Sequence, residues 1–104
     1  MIVWSEKLYI GGQAEKHYKT VRKKLDGGKI IPGFFLIAEP SNKSNLFDIL
    51  PSEELLFPYH KRREILVYGL AKGKEEAEEL VVSMLEDVYR ETDGLKCKEY
   101  FKTK

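Results

Sequence analysis

Apolar positions are grouped along this chain in two ways, as short unbroken runs and as stripes at helical spacing. From Glu64 to Glu91 both occur in succession. The run Ile65 to Leu70 meets a glycine-bounded turn, Gly69-Leu70-Ala71-Lys72-Gly73. A segment follows in which Ala77, Leu80, Val81, Met84, Leu85 and Val88 form one stripe. This predicts a strand, a tight turn and a long helix, one half of a βαβ unit. Thr92-Asp93-Gly94 ends that helix. The start of the chain repeats the order. Lys7 to Ile10 predicts a strand that can begin as early as Ile2, and Gly11-Gly12 closes it. Ala14, Tyr18, Val21 and Leu25 then mark one face of a helix from Gln13 to Leu25. Asp26-Gly27-Gly28 stops it, with glycine available for a left-handed cap. Gly33 to Ala38, between Pro32 and Pro40, predicts a buried strand.

Residues 41–63 are irregular by comparison. Ser41 to Asn45 is a polar loop, and Leu46 to Leu50 predicts a short edge strand or the lead-in to a helix. Pro51 to Leu56 predicts a helical turn capped by Ser52, with Glu53 and Glu54 at its positive end. Leu95 to Phe101 alternates and predicts a final strand, with Leu95, Cys97, Glu99 and Phe101 on one side. The fold class is therefore α/β (α+β): two βαβ-like halves forming a 4–5-stranded sheet with two long helices. Two arrangements satisfy it, a ferredoxin-like antiparallel sheet or a mostly parallel one. Phe34, Leu36 and Ala38 oppose the equally apolar Phe35 and Ile37, and Ile65 and Val67 oppose Leu66, Tyr68 and Leu70. Strands apolar on both faces require cover on both sides. Two long helices are expected to cover only one face well, so the connector or a second copy of the chain must cover the other, and self-association is expected.

With 104 residues the chain is expected to form one domain. A formal net charge of +1 argues against a purely electrostatic partner such as bulk nucleic acid or an anionic membrane. The lone Cys97 cannot staple the fold. The N-terminus, MIVWSEKLYI, lacks the pattern of a secretory signal, and no run reaches the roughly 20 apolar residues that cross a bilayer. A cytoplasmic setting is expected.

Charge is segregated even though the total nearly cancels. Residues 13–29 carry six basic and two acidic side chains, and residues 75–93 carry eight acidic and one basic. Lys16, Lys19, Arg22 and Lys23 are thus candidates for a face that binds nucleic acid or an acidic partner. The plainer reading is that two neighbouring helices of opposite sign attract each other. His60-Lys61-Arg62-Arg63 can extend the basic face only if the fold brings it near. Leu8-Tyr9-Ile10-Gly11-Gly12 looks like the first signature strand of an RNA recognition motif domain. The matching second signature is missing from Glu64 to Leu70, and an ordinary strand end accounts for the match.

The two glycine turns offer a different chemistry. Gly11, Gly12, Lys72 and Gly73 can hold a phosphate or carboxylate on exposed amides if a parallel sheet brings both turns to one end. Neither GxGxxG nor a P-loop spacing is present, and Glu75-Glu76 would oppose an anion. His17, His60 and Cys97 give no metal-ligand spacing. Cys97 reads as a small core residue, and Asp48, Asn42 and Asn45 as turn builders. No cofactor and no catalytic constellation are expected.

Asn45-Leu46-Phe47-Asp48-Ile49, Val67 to Gly73 with Glu76-Ala77 and Leu80-Val81, and Glu99-Tyr100-Phe101 give residues 30–101 a resemblance to a group of small uncharacterised proteins of Gram-positive anaerobic bacteria. The resemblance implies a bacterial cytoplasmic setting and carries over no catalytic residue. The functional expectation is a binding or interaction domain that self-associates. A nucleic-acid-binding module and a small-anion or nucleotide site are the alternatives.

Overall fold

In the computed structural model, which describes residues 1–42, 44–58 and 63–101, the chain forms a four-stranded mixed sheet with helices on both faces. The elements are β1 (Ile2–Ile10), α1 (Gly12–Glu15), α2 (Tyr18–Asp26), β2 (Phe34–Ala38), β3 (Asp48–Pro51), a 3₁₀ turn (Ser52–Leu56), β4 (Ile65–Lys72), α3 (Lys74–Thr92) and α4 (Cys97–Phe101). Strand order is β1-β4-β2-β3. β1 runs parallel to β4, whereas β2 is antiparallel to both β4 and β3. Both expected arrangements are thus realised in part, the parallel one at β1/β4 and the antiparallel one elsewhere.

The expectation that both long helices share one face is corrected. Val21 and Leu25 of α2 pack with Phe34, Leu36 and Ala38 of β2, while Met84 and Val88 of α3 pack with Ile37 of the same strand. Successive residues of a strand point to opposite faces, so α2 and α3 lie on opposite sides of the sheet. That is why β2 and β4 are apolar on both faces. The chain supplies both covers itself.

Two irregularities shape the sheet. Ile37 pairs with Gly69 and the next residue, Ala38, with Val67, so Tyr68 is an extra residue in β4. This bulge places Leu70 on the α2 face with Ile65 and Val67, and not beside Tyr68 as strict alternation predicts. In β1 the pairing passes from Trp4↔Val67 to Tyr9↔Gly69, so Ser5 to Leu8 leave the ladder.

Three local expectations change. The first helix breaks at Lys16-His17, because the amides of Gln13 and Ala14 in α1 are held by a side chain of α3 while α2 lies on the sheet. Residues 97–101 form a helix instead of a strand. Cys97, Tyr100 and Phe101 are spaced i, i+3, i+4, and this face enters the α3 side of the core, leaving Lys98 and Glu99 exposed. Ser52 does not cap its turn. Its buried hydroxyl donates to the Ile31 carbonyl at 2.6 Å and accepts from the Ile31 amide at 3.2 Å, fastening the segment before β2 to the connector. Leu46 to Leu50 contributes the edge strand β3, as one of the two readings expected. The left-handed stop after α2 falls on Gly28 (φ 84°).

Candidate functional site

The parallel pairing of β1 with β4 brings the two glycine turns to one end of the sheet, where the Gly11 amide donates to the Leu70 carbonyl at 2.9 Å. The anion there is the chain's own. The Glu76 carboxylate accepts hydrogen bonds from the amides of Gln13 (2.7 Å), Lys72 (2.7 Å) and Ala14 (3.3 Å). A Cβ built on Gly11 would collide with Glu76 Oε1, so the carboxylate occupies the space a side chain would need. Gly73, at φ 86°, makes the turn into α3, a backbone conformation that L side chains rarely adopt. The sequence suggested that Glu75-Glu76 opposes an anion, but the fold uses Glu76 as one. An external phosphate would have to displace it.

The basic residues of α2 lie on the opposite side of the sheet from α3, and Lys16 follows α1 at the sheet end that Glu76 binds. Lys16, Lys19 and Lys23 are exposed, and Arg22 is half-buried. The Arg22 guanidinium sits 5.0 Å from the centre of the Trp4 ring, and its Nη1 donates to the Tyr18 hydroxyl at 2.5 Å. Trp4 Nε1 donates to Asp26 Oδ1 at 2.8 Å. Arg22 is therefore part of a fixed aromatic stack, and the three lysines carry the accessible charge. On the same side of the sheet a hollow of about 560 Å³ is walled by Trp4, Leu25, Ile30, Leu55 and Leu56, with Asp26 and Lys29 also in its lining. Of the second basic cluster, His60, Lys61 and Arg62 lie outside the described residues. The Arg63 carbonyl accepts from the N-terminal amine at 3.0 Å.

On the α3 face the aromatic residue of the RNA-recognition-like strand end is covered. Tyr9 packs edge-on against Phe101, 6.0 Å between ring centres. Its hydroxyl donates to Asp87 Oδ2 at 2.6 Å and lies 2.7 Å from the Tyr100 hydroxyl, which donates in turn. Burial, then the bond to Asp87, raises the Tyr9 pKa well above the ordinary tyrosine value. The same bond, with Arg90 beside it, holds Asp87 below its usual value. A base cannot stack on Tyr9 unless α4 leaves. Cys97 is buried, and burial pushes its thiol up, which suits a core residue and not a nucleophile. Tyr68, stacked on Phe101 at 4.1 Å, is likewise pushed up by burial, to about 12. Asp48 and Asn42 accept hydrogen bonds from the Ser41 and Ser44 amides, so they build turns. Among the described residues no cluster of His, Cys, Asp and Glu suits a metal ion, and no helix is long and apolar enough to cross a membrane.

Comparison with protein-family models, curated proteins and solved structures finds no match for the chain. The surface features therefore carry the argument. One was missed in the sequence. On the outer side of α3, Val82 (56% exposed) and Tyr89 (60% exposed) flank the half-buried Leu85, and together with Glu86 and Arg90 they line a shallow depression. The signal was present as apolar residues at positions 82, 85 and 89, but Leu85 also belongs to the buried stripe and masks the second one.

Proposed function

We propose that this chain is a non-enzymatic interaction domain that associates with further copies of itself. The stripe Val82, Leu85, Tyr89 on the outside of α3 carries this reading. Single exposed apolar residues are ordinary, but three at i, i+3 and i+7 on one helix form the pattern that packs against a second element. Size-exclusion chromatography with light scattering tests it. The mass is expected to rise with protein concentration, and Val82→Ser with Tyr89→Ser is expected to return it to the monomer. A strict monomer at high concentration would sink the reading.

One observation favours a second reading, a nucleic-acid-binding module. Lys16, Lys19 and Lys23 are exposed in the segment whose Arg22 lies against the rings of Trp4 and Tyr18. Such a face tracks a phosphate backbone with strong salt dependence. A gel shift with single-stranded RNA at low salt, abolished by Lys19→Glu with Lys23→Glu, is the expected result. No shift at low salt removes this alternative.

A further inference from the structure

We infer that the outer stripe of α3 docks on the α2 side of a second copy, joining copies head to tail. The inference rests on the reading that the chain self-associates, and it names the two surfaces. Charge is the first argument. Of the eight acidic residues between 75 and 93, Glu76 is bound to backbone amides and Asp87 to Tyr9 and Arg90, whereas Glu75, Glu78, Glu79, Glu86, Glu91 and Asp93 are exposed. On the other side of the sheet Lys19, Lys23 and Lys24 of α2 are exposed. The sheet and its two packing layers separate the two sets, a distance greater than the Debye length of about 8 Å at physiological salt. Neither set neutralises the other within one molecule, so each surface is complementary to the opposite surface of a neighbour.

The second argument is shape. Tyr89 and Val82 project from the acidic surface, and the hollow walled by Trp4, Leu25, Leu55 and Leu56 lies on the basic side with Leu56 itself 46% exposed. An aromatic anchor in an apolar hollow is the usual centre of a stable interface; Lys29 lines this one together with Asp26, whose carboxylate is engaged by Trp4 Nε1, and the α2 lysines lie on the same side of the sheet. Symmetric pairing of two α3 stripes would instead bring Glu78, Glu79 and Glu86 of both copies into one interface, and crowded like charges are unfavourable. Two different surfaces make a heterologous contact, so association continues into chains or rings in place of stopping at a dimer.

A charge-swap experiment tests the arrangement. Variant one carries Lys19→Glu and Lys23→Glu, and variant two carries Glu78→Lys and Glu86→Lys. All four positions are exposed, and circular dichroism with a thermal melt checks folding. Each variant alone is expected to associate about tenfold more weakly than the parent by light scattering, and an equimolar mixture is expected to recover association. Raising salt from about 0.05 M to about 0.5 M should dissociate the parent and the mixture alike. A parent that associates while both variants do so equally well leaves self-association standing and overturns this interface. Loss of association in variant two alone means that α3 docks on a surface without Lys19 and Lys23, and also overturns it. A strictly monomeric parent overturns both readings.

Discussion

Removing the Glu76 carboxylate should loosen the end of the sheet where β1, β4, α1 and α3 meet. Glu76→Ala leaves three amides without their acceptor. The Gln13 and Lys72 bonds, both 2.7 Å, are short and charge-assisted; at this partly hydrated end each contributes about 1 kcal/mol net. The Ala14 bond at 3.3 Å is weaker, but that residue is buried, so its amide is poorly rehydrated. The expected loss is about 2–3 kcal/mol, or a melting temperature lower by about 10 °C or more for a domain of this size. Glu76→Gln should lose about half as much, because its carbonyl can serve Lys72 while its amino group meets the Gln13 amide donor to donor. Gly11→Ala supplies the decisive comparison. Gly11 has an ordinary extended conformation (φ −65°, ψ 156°), and the atoms nearest to a methyl there all belong to Glu76, so its cost comes chiefly from evicting that side chain. In the parent it should destabilise nearly as much as Glu76→Ala. In the Glu76→Ala background it should cost less than about 0.5 kcal/mol, a coupling of about 2 kcal/mol in a double-mutant cycle by urea denaturation. Equal penalties in both backgrounds would refute the reasoning, as would a Glu76→Ala variant as stable as the parent.

Other sites give independent expectations. Tyr9 has a raised folded-state pKa, so its contribution to stability is complete below the ordinary tyrosine value of about 10 and is lost as pH rises beyond it. Urea midpoints at about pH 8 and about pH 11 should diverge in the parent, and Tyr9→Phe should remove part of that difference. Asp87, with a lowered pKa, contributes above the unfolded value of about 3.9 and ceases to as pH falls through its folded value; Asp87→Asn should flatten the acid limb of the same profile. Ser52→Ala leaves the Ile31 amide and carbonyl without their hydroxyl partner in a fully buried position and should cost about 2 kcal/mol by the same assay. Phe101→Ala removes the ring that stacks on Tyr68 and meets Tyr9 and Phe47; a loss of about 3–5 kcal/mol and a weakened near-ultraviolet aromatic signal are expected. An unchanged midpoint for either variant would show that the contact contributes nothing.

The elements were legible in the sequence where a single period dominated. Phe34 to Ala38 and Ile65 to Leu70 announced two-faced strands, and the stripe from Ala77 to Val88 announced α3. What hid the arrangement was the side on which each helix lay, since nothing local distinguishes a helix above a sheet from one below it. The bulge at Tyr68 was hidden because an extra residue shifts the pairing without changing local apolarity. At the C-terminus, Leu95, Cys97 and Phe101 suited a strand, while Cys97, Tyr100 and Phe101 suited a helix equally, and only tertiary packing chose between them. Among the candidate site residues, the meeting of Gly11 and Gly12 with Lys72 followed from a parallel pair, but the role of Glu76 depended on where one rotamer of α3 points.

The position of β4 bears on how the molecule is made. Ile2 finds its partner at Ile65, and no strand described between them can pair with β1 in its place, because β2 and β3 both lie beyond β4. Closing a loop of that length costs about 4 kcal/mol in chain entropy alone. During synthesis β1 emerges well before β4 and stays unpaired until residues 65–72 follow it. Its early residues, Ile2 to Trp4, are apolar enough to bind a chaperone or a neighbouring nascent chain in that interval. Folding should therefore be a late and abrupt event. Stalled chains ending before residue 65 should be protease-sensitive throughout, and protection should arrive across β1 and β2 together once β4 is free to insert.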